Sequence, residues 1–86
     1  MLTSHALLLK YRHDIRFSFG EIGVLYVDRG APGDCSWAHG KDIRALESQY
    51  FEVLSGTGQK FIPYHRIRKI TYAGAIIWER GVKQDT

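Results

Sequence analysis

A β-branched and aromatic run, Ile22-Gly-Val-Leu-Tyr-Val27, ends abruptly in Asp28-Arg-Gly-Ala-Pro-Gly-Asp34. The run has the make-up of a central strand. The glycines and the proline behind it stop that strand and turn the chain. The rest of the sequence is punctuated in the same way, by Ser55-Gly-Thr-Gly58, by Pro63 and by Ala73-Gly74, which leaves only short segments between turns. A chain of 86 residues cut up like this must close its core with short strands. At this length about 60–65% of the unfolded surface is buried on folding, so a surface groove or an edge is a better place for a ligand than an internal cavity. One domain over residues 1–86 is expected, with an ordered core over about 4–81.

The segments read as follows. Thr3 or Ser4 can cap a helix over about Ser4 to His13, with Leu8, Tyr11 and Ile15 at i, i+3 and i+7 on its apolar face. Phe17 and Phe19 alternate into Gly20 as an extended connection. Lys41 to Glu47 reads as a short helix, because Ile43 and Leu46 fall at i and i+3. Tyr50 to Leu54 is a strand, Ser55 to Gly58 a turn, and Phe61-Ile62 a short strand held extended by Pro63. Tyr64-His65-Arg66-Ile67 is a tight turn or a single helical turn. Residues 68–80 form a hairpin around Ala73-Gly74. The order predicts an α+β fold: an antiparallel-rich sheet with an N-terminal helix and one short helix.

Hydrophobic residues at 44% and aromatics at 13% exclude a disordered chain. The single cysteine, Cys35, cannot form an internal disulfide, and it lies beside an acidic residue that disfavours its thiolate. His5, His13 and His39 lack metal-ligand spacing and are expected at the surface, so neither a metal nor a cofactor is implied. Leu7-Leu8-Leu9 is too short for a signal core and no stretch reaches a membrane span, so the cytoplasm is the expected compartment. The net charge of +3 is unevenly spread. Residues 1–59 carry six basic and seven acidic side chains, whereas residues 60–86 carry six basic and two acidic ones. Phe61, Tyr64, Tyr72 and Trp78 interleave with those cations. Cations for phosphates and flat rings for bases are what a nucleic-acid surface needs. The same pattern also fits a hairpin with core aromatics and solvated charges.

Two segments carry candidate chemistry. In the first loop, Gly30 and Gly33 let the backbone approach a ligand, Arg29 offers a bidentate fork to a phosphate, and Asp34 can accept from a ribose hydroxyl or brace Arg29. The competing reading is a tight turn in which Asp34 bonds its own backbone. In the second segment, Tyr64 offers a ring for stacking, His65 a hydrogen bond and Arg66 a charge. The competing reading is a structural turn. Trp78 and Arg80 would share one strand face, with core packing the expected place for Trp78. Trp37 is expected to cover the edge of the core.

Val27-Asp-Arg-Gly-Ala-Pro-Gly-Asp34 and Ile62-Pro-Tyr-His-Arg-Ile67, followed by Ile70, Gly74 and Ile77-Trp-Glu-Arg80, resemble the RNA cyclic group end recognition domain, a family of small, mostly archaeal proteins. The resemblance runs from the helix containing Leu8 to Arg80. It implies an RNA-related role: similar domains in eukaryotic proteins sit beside phosphoesterase domains of the 2′,5′ RNA ligase-like type, and the family name reflects a proposed recognition of 2′,3′-cyclic phosphate ends. By position, Arg29 and Asp34 match the first motif, Tyr64, His65 and Arg66 the second, and Trp78 and Arg80 the third. Some relatives carry His where this chain has Asp28, whose charge would repel an anion unless Arg29 offsets it. The expectation is therefore a non-catalytic RNA-binding module that uses Arg29, Gly30, Gly33, Asp34, Tyr64, His65, Arg66, Trp78 and Arg80 on a terminal phosphate, with an RNA-processing protein as a further partner. The alternatives are an RNA-end phosphodiesterase using His65 with Asp34, or a protein-interaction domain whose motif residues are turn formers.

Overall fold

The computed structural model describes residues 3–56 and 58–80. Thr57 of the expected turn, Gly81 at the end of the expected core, and Lys83 and Asp85 of the charge count lie outside the described residues. The fold is α+β. Helix α1 (Ser4–His13) is followed by strands β1 (Ile22–Val27), β2 (Cys35–His39), β3 (Ile43–Leu46), β4 (Tyr50–Ser55), β5 (Gly58–Pro63), β6 (Ile67–Tyr72) and β7 (Ala75–Glu79). They form an antiparallel four-stranded sheet in the order β2-β1-β6-β7 and an antiparallel three-stranded sheet in the order β3-β4-β5. The inner faces of both sheets meet in one core. Val24, Tyr26, Ala38, Ile67 and Ile70 come from the first sheet, Ile43, Phe51, Val53 and Ile62 from the second, and Leu7 and Leu8 from the helix.

Thr3 caps α1 by accepting from the Ala6 N–H through its hydroxyl at 3.1 Å. The helix ends at His13, where Asp14 turns to extended backbone. Ile15 therefore never joins the apolar face and is 98% exposed. Phe17 packs against Tyr11 and Tyr72, and the expected extended connection is instead closed by a 3₁₀ turn over Phe19–Glu21.

The short helix expected over Lys41 to Glu47 is a single 3₁₀ turn, Gly40–Asp42, followed by strand β3. The difference has a physical cause. Ile43 lies opposite Val53 and Leu46 opposite Phe51, but a bulge at Arg44 adds a residue between them. A bulge turns the two-residue repeat of a strand into a three-residue step, which imitates a helical spacing. Strand β2 carries no periodic apolar pattern in the sequence, because it is an edge strand that buries only Ala38. Trp37 does not cover the core. It lies on the outer face of the four-stranded sheet and is 48% exposed.

Candidate phosphate site

The register brings the two motifs together. Strand β1 runs antiparallel to β6, with Tyr26 opposite Ile67. The first loop therefore leaves β1 at the place where the Tyr64–Arg66 turn enters β6. Val27, Arg29, His65 and Arg66 line one open hollow of about 360 Å³. Arg29, His65 and Arg66 are all exposed, so two guanidinium groups and an imidazole face solvent from a shared rim.

The first loop is held by its own backbone. The Asp28 N–H donates to the Asp34 carbonyl at 2.8 Å, the Ala31 N–H to the Asp28 carbonyl at 3.1 Å, and the Asp34 N–H to the Ala31 carbonyl at 2.8 Å. Gly30 and Gly33 have φ of 95° and 69°, values that glycine adopts without a Cβ penalty. Asp34 also has a positive φ, 57°, which Asp tolerates better than most residues. Its carboxylate accepts from the Gly30 N–H at 3.3 Å. Asp34 thus closes the loop, and it is not among the residues lining the hollow.

Asp28 is held in place by two partners. Its Oδ2 accepts from Ser36 Oγ at 2.7 Å and from Lys60 Nζ at 3.1 Å. The Ser36 hydroxyl, followed by Lys60, lowers its pKa below the ordinary 3.8. The carboxylate that could repel an anion is therefore committed to a hydroxyl and an ammonium group. Lys60 belongs to β5 and Asp28 follows β1, so this ion pair ties the second sheet to the first loop. Lys60 lies outside all three motifs. The signal was present: Ile62 faces the core, so Lys60 two residues earlier shares its face and needs a carboxylate partner.

The second motif divides between rim and core. His65 and Arg66 face solvent, but Tyr64 is only 8% exposed. Its hydroxyl donates to the Glu47 carbonyl at 2.7 Å, and its ring lies 4.5 Å from the His5 ring and 5.8 Å from that of Phe51. The ring expected to stack on a base is packed in the core, and His5, expected at the surface, covers it. Burial, followed by the negative charge of Glu47, raises the Tyr64 phenol to about 12.

The third motif acts on the second. Arg80 Nε donates to the Ile67 carbonyl at 2.8 Å and an Arg80 Nη to the Tyr64 carbonyl at 3.1 Å. Its guanidinium lies 5.2 Å from the centre of the Trp78 ring, which itself packs half-buried against the core. Arg80 thus joins the end of β7 to the turn that presents His65 and Arg66. It and Trp78 do not line the hollow.

Among the described residues, no group of three or more His, Cys, Asp or Glu side chains is arranged to hold a metal ion. No helix among them is long and apolar enough to cross a membrane.

The chain is similar to a UPF0248 protein of Pyrobaculum calidifontis, with 36% identity over 56 residues, which is 64% of this chain and 73% of that protein. No solved structure matches it. The profile of the MJ1316 RNA cyclic group end recognition domain matches residues 1–80, which span α1, both sheets and all three motifs. The chain therefore belongs to the MJ1316 RNA cyclic group end recognition domain family.

Proposed function

We propose that this protein is a non-catalytic module that binds RNA ends carrying a phosphate, with the 2′,3′-cyclic phosphate as the favoured end. The observation that carries the reading is the meeting of Arg29 with His65 and Arg66 around one open hollow. Two guanidinium forks supply charge and directed N–H donors, and the imidazole adds a further hydrogen bond to a non-bridging oxygen. The family name, which speaks of RNA cyclic group ends, supports the same chemistry. Gly30, Gly33, Asp34, Tyr64, Trp78 and Arg80 shape and hold the two turns, and contact with the phosphate falls to Arg29, His65 and Arg66. Binding without turnover is favoured because opening a cyclic phosphate by acid–base chemistry calls for two poised groups, whereas the hollow is lined by one imidazole and by no carboxylate.

Arg29→Ala and Arg66→Ala are the direct test. Both residues are exposed, so both variants should unfold with the wild-type denaturant midpoint. Each should weaken binding of a short RNA ending in 2′,3′-cyclic phosphate by roughly tenfold, the usual scale for one hydrogen bond to a charged group. Wild-type affinity in both variants would refute the assignment. Hydrolysis of the cyclic phosphate by the wild type that disappears in His65→Ala would replace binding with catalysis.

A further inference from the structure

The two halves of the cationic rim arrive on different strands, and one ion pair joins those strands beside it. Val27 and Arg29, on either side of Asp28 in the chain, both line the hollow. His65 and Arg66 come from the turn that follows β5, the strand that carries Lys60. The 3.1 Å contact of Lys60 Nζ with Asp28 Oδ2 therefore links the first rim segment to the strand that delivers the second. Asp28 is tied on every side. Its N–H donates to the Asp34 carbonyl, its carbonyl accepts from the Ala31 N–H, and its carboxylate accepts from Ser36 of β2 as well as from Lys60. The Lys60 ammonium also lies 5.7 Å from the centre of the ring of Tyr26, the residue opposite Ile67 at the start of β6. Strands β2 and β5 are edges of the two sheets, so among the described residues backbone pairing holds each on one side only. The Asp28 carboxylate joins them. With its side chains 41% and 25% exposed, the ion pair contributes little to stability, and its place beside the rim is what bears on the site.

We propose that Asp28 and Lys60 are positioning residues for the phosphate site: their ion pair sets the separation of Arg29 from His65 and Arg66, and so sets how well the rim fits one terminal phosphate. This rests on the phosphate-binding reading above and deepens it by naming the groups that hold the rim in register. Asp28 and Lys60 do not line the hollow, and they act through Arg29, His65 and Arg66. Directed hydrogen bonds to a phosphate need donors in fixed places, whereas general attraction to an RNA backbone does not. Loosening the pair therefore costs affinity for the phosphate end and spares attraction to the rest of the RNA. The charge of Asp28 makes the two effects differ in sign. A carboxylate that acted only through its charge would repel an anion, and its removal would strengthen binding. A carboxylate that acts by holding Lys60 is one whose removal weakens binding.

The test uses the full chain and two matched short RNAs, one ending in 2′,3′-cyclic phosphate and one in hydroxyl. Asp28→Asn keeps an oxygen for Ser36 and removes the charge that holds Lys60. It should weaken binding of the cyclic end by roughly fivefold, the upper range for an ion pair this exposed, and should not weaken binding of the hydroxyl end. Equal or tighter binding of the cyclic end would overturn the proposal. Lys60→Met keeps the stem without the charge and should weaken the cyclic end more than the hydroxyl end. A loss shared equally by both ends would mark a general charge effect and would also overturn it. Lys60→Arg retains the pair and should bind as the wild type does. In an Arg29→Ala background, Lys60→Met should cost the cyclic end little more, because the rim it spaces is already broken; losses that add would contradict a role through Arg29. Urea midpoints of all these variants should stay close to that of the wild type, and a fall in midpoint that accounts for the lost binding would assign the pair to the fold and not to the site. A wild type that prefers the cyclic end, with variants that keep that preference in full, would defeat the positioning role alone. A wild type with no preference for the cyclic end would defeat both this role and the reading beneath it.

Discussion

The Tyr64 hydroxyl donates to the Glu47 carbonyl while its ring fills the space between His5 and Phe51. Its neighbours His65 and Arg66 face solvent, so a single turn anchors itself with one side chain and presents the next two. The anchor has a pH signature. A phenol raised from 10.0 to about 12 is one whose neutral form the fold prefers. Its contribution to stability is fully present below pH 10 and is lost as pH rises toward about 12. Tyr64→Phe should remove that alkaline loss and cost about 1 kcal/mol near neutrality, the typical value of a hydrogen bond. Denaturant titrations at pH 8 and pH 11 check this, and an unchanged alkaline loss in Tyr64→Phe would assign it to another group. The motif Tyr64-His65-Arg66 was legible as a turn, yet which of its side chains would point inward was not. That depends on the Glu47 carbonyl and the Phe51 ring, which are 17 and 13 residues away.

At the scale of elements, the site exists because antiparallel pairing of β1 with β6 sets the end of one beside the start of the other. Helix α1, strand β1 and the β6–β7 hairpin were legible because each has an apolar run or a periodic apolar pattern with a cap or a turn at its end. Strand β3 was not, because its bulge gives Ile43 and Leu46 a helical spacing, and strand β2 was not, because an edge strand that buries only Ala38 has no pattern to read. Nor could the sequence show that Arg80 would donate to the carbonyls of Ile67 and Tyr64. A cation two residues after Trp78 looks the same whether it meets a phosphate or a backbone. The distinction is testable. Arg80→Ala should lower stability by about 1 kcal/mol or more and weaken RNA binding as a consequence, since both carbonyl bonds are lost. Urea unfolding and RNA titration of the same preparation separate the cases: full stability with lost binding would mean that Arg80 touches the RNA itself.

Over the whole molecule, the basic last third foreseen from the sequence is divided by the fold among different tasks. Lys60 pairs with Asp28, Lys69 stands 4.0 Å from Glu79, Arg80 braces a turn, and Arg66 alone of these lines the hollow, where it is joined by Arg29 from the less basic part of the chain. Net charge along the chain therefore does not mark where the hollow lies, whereas both loop motifs contribute residues to its lining. A cation cluster that recognises an end and a surface that merely attracts a backbone differ in one respect. General attraction weakens steeply with salt and ignores end chemistry, because it reflects counterion release from many phosphates. The most direct measurement is a binding titration with three matched short RNAs, ending in 2′,3′-cyclic phosphate, 3′-phosphate or hydroxyl, each at two salt concentrations. The account predicts that the cyclic end binds tightest and that its advantage over the hydroxyl end persists at the higher salt. Equal affinities for all three ends, falling together as salt rises, would contradict it.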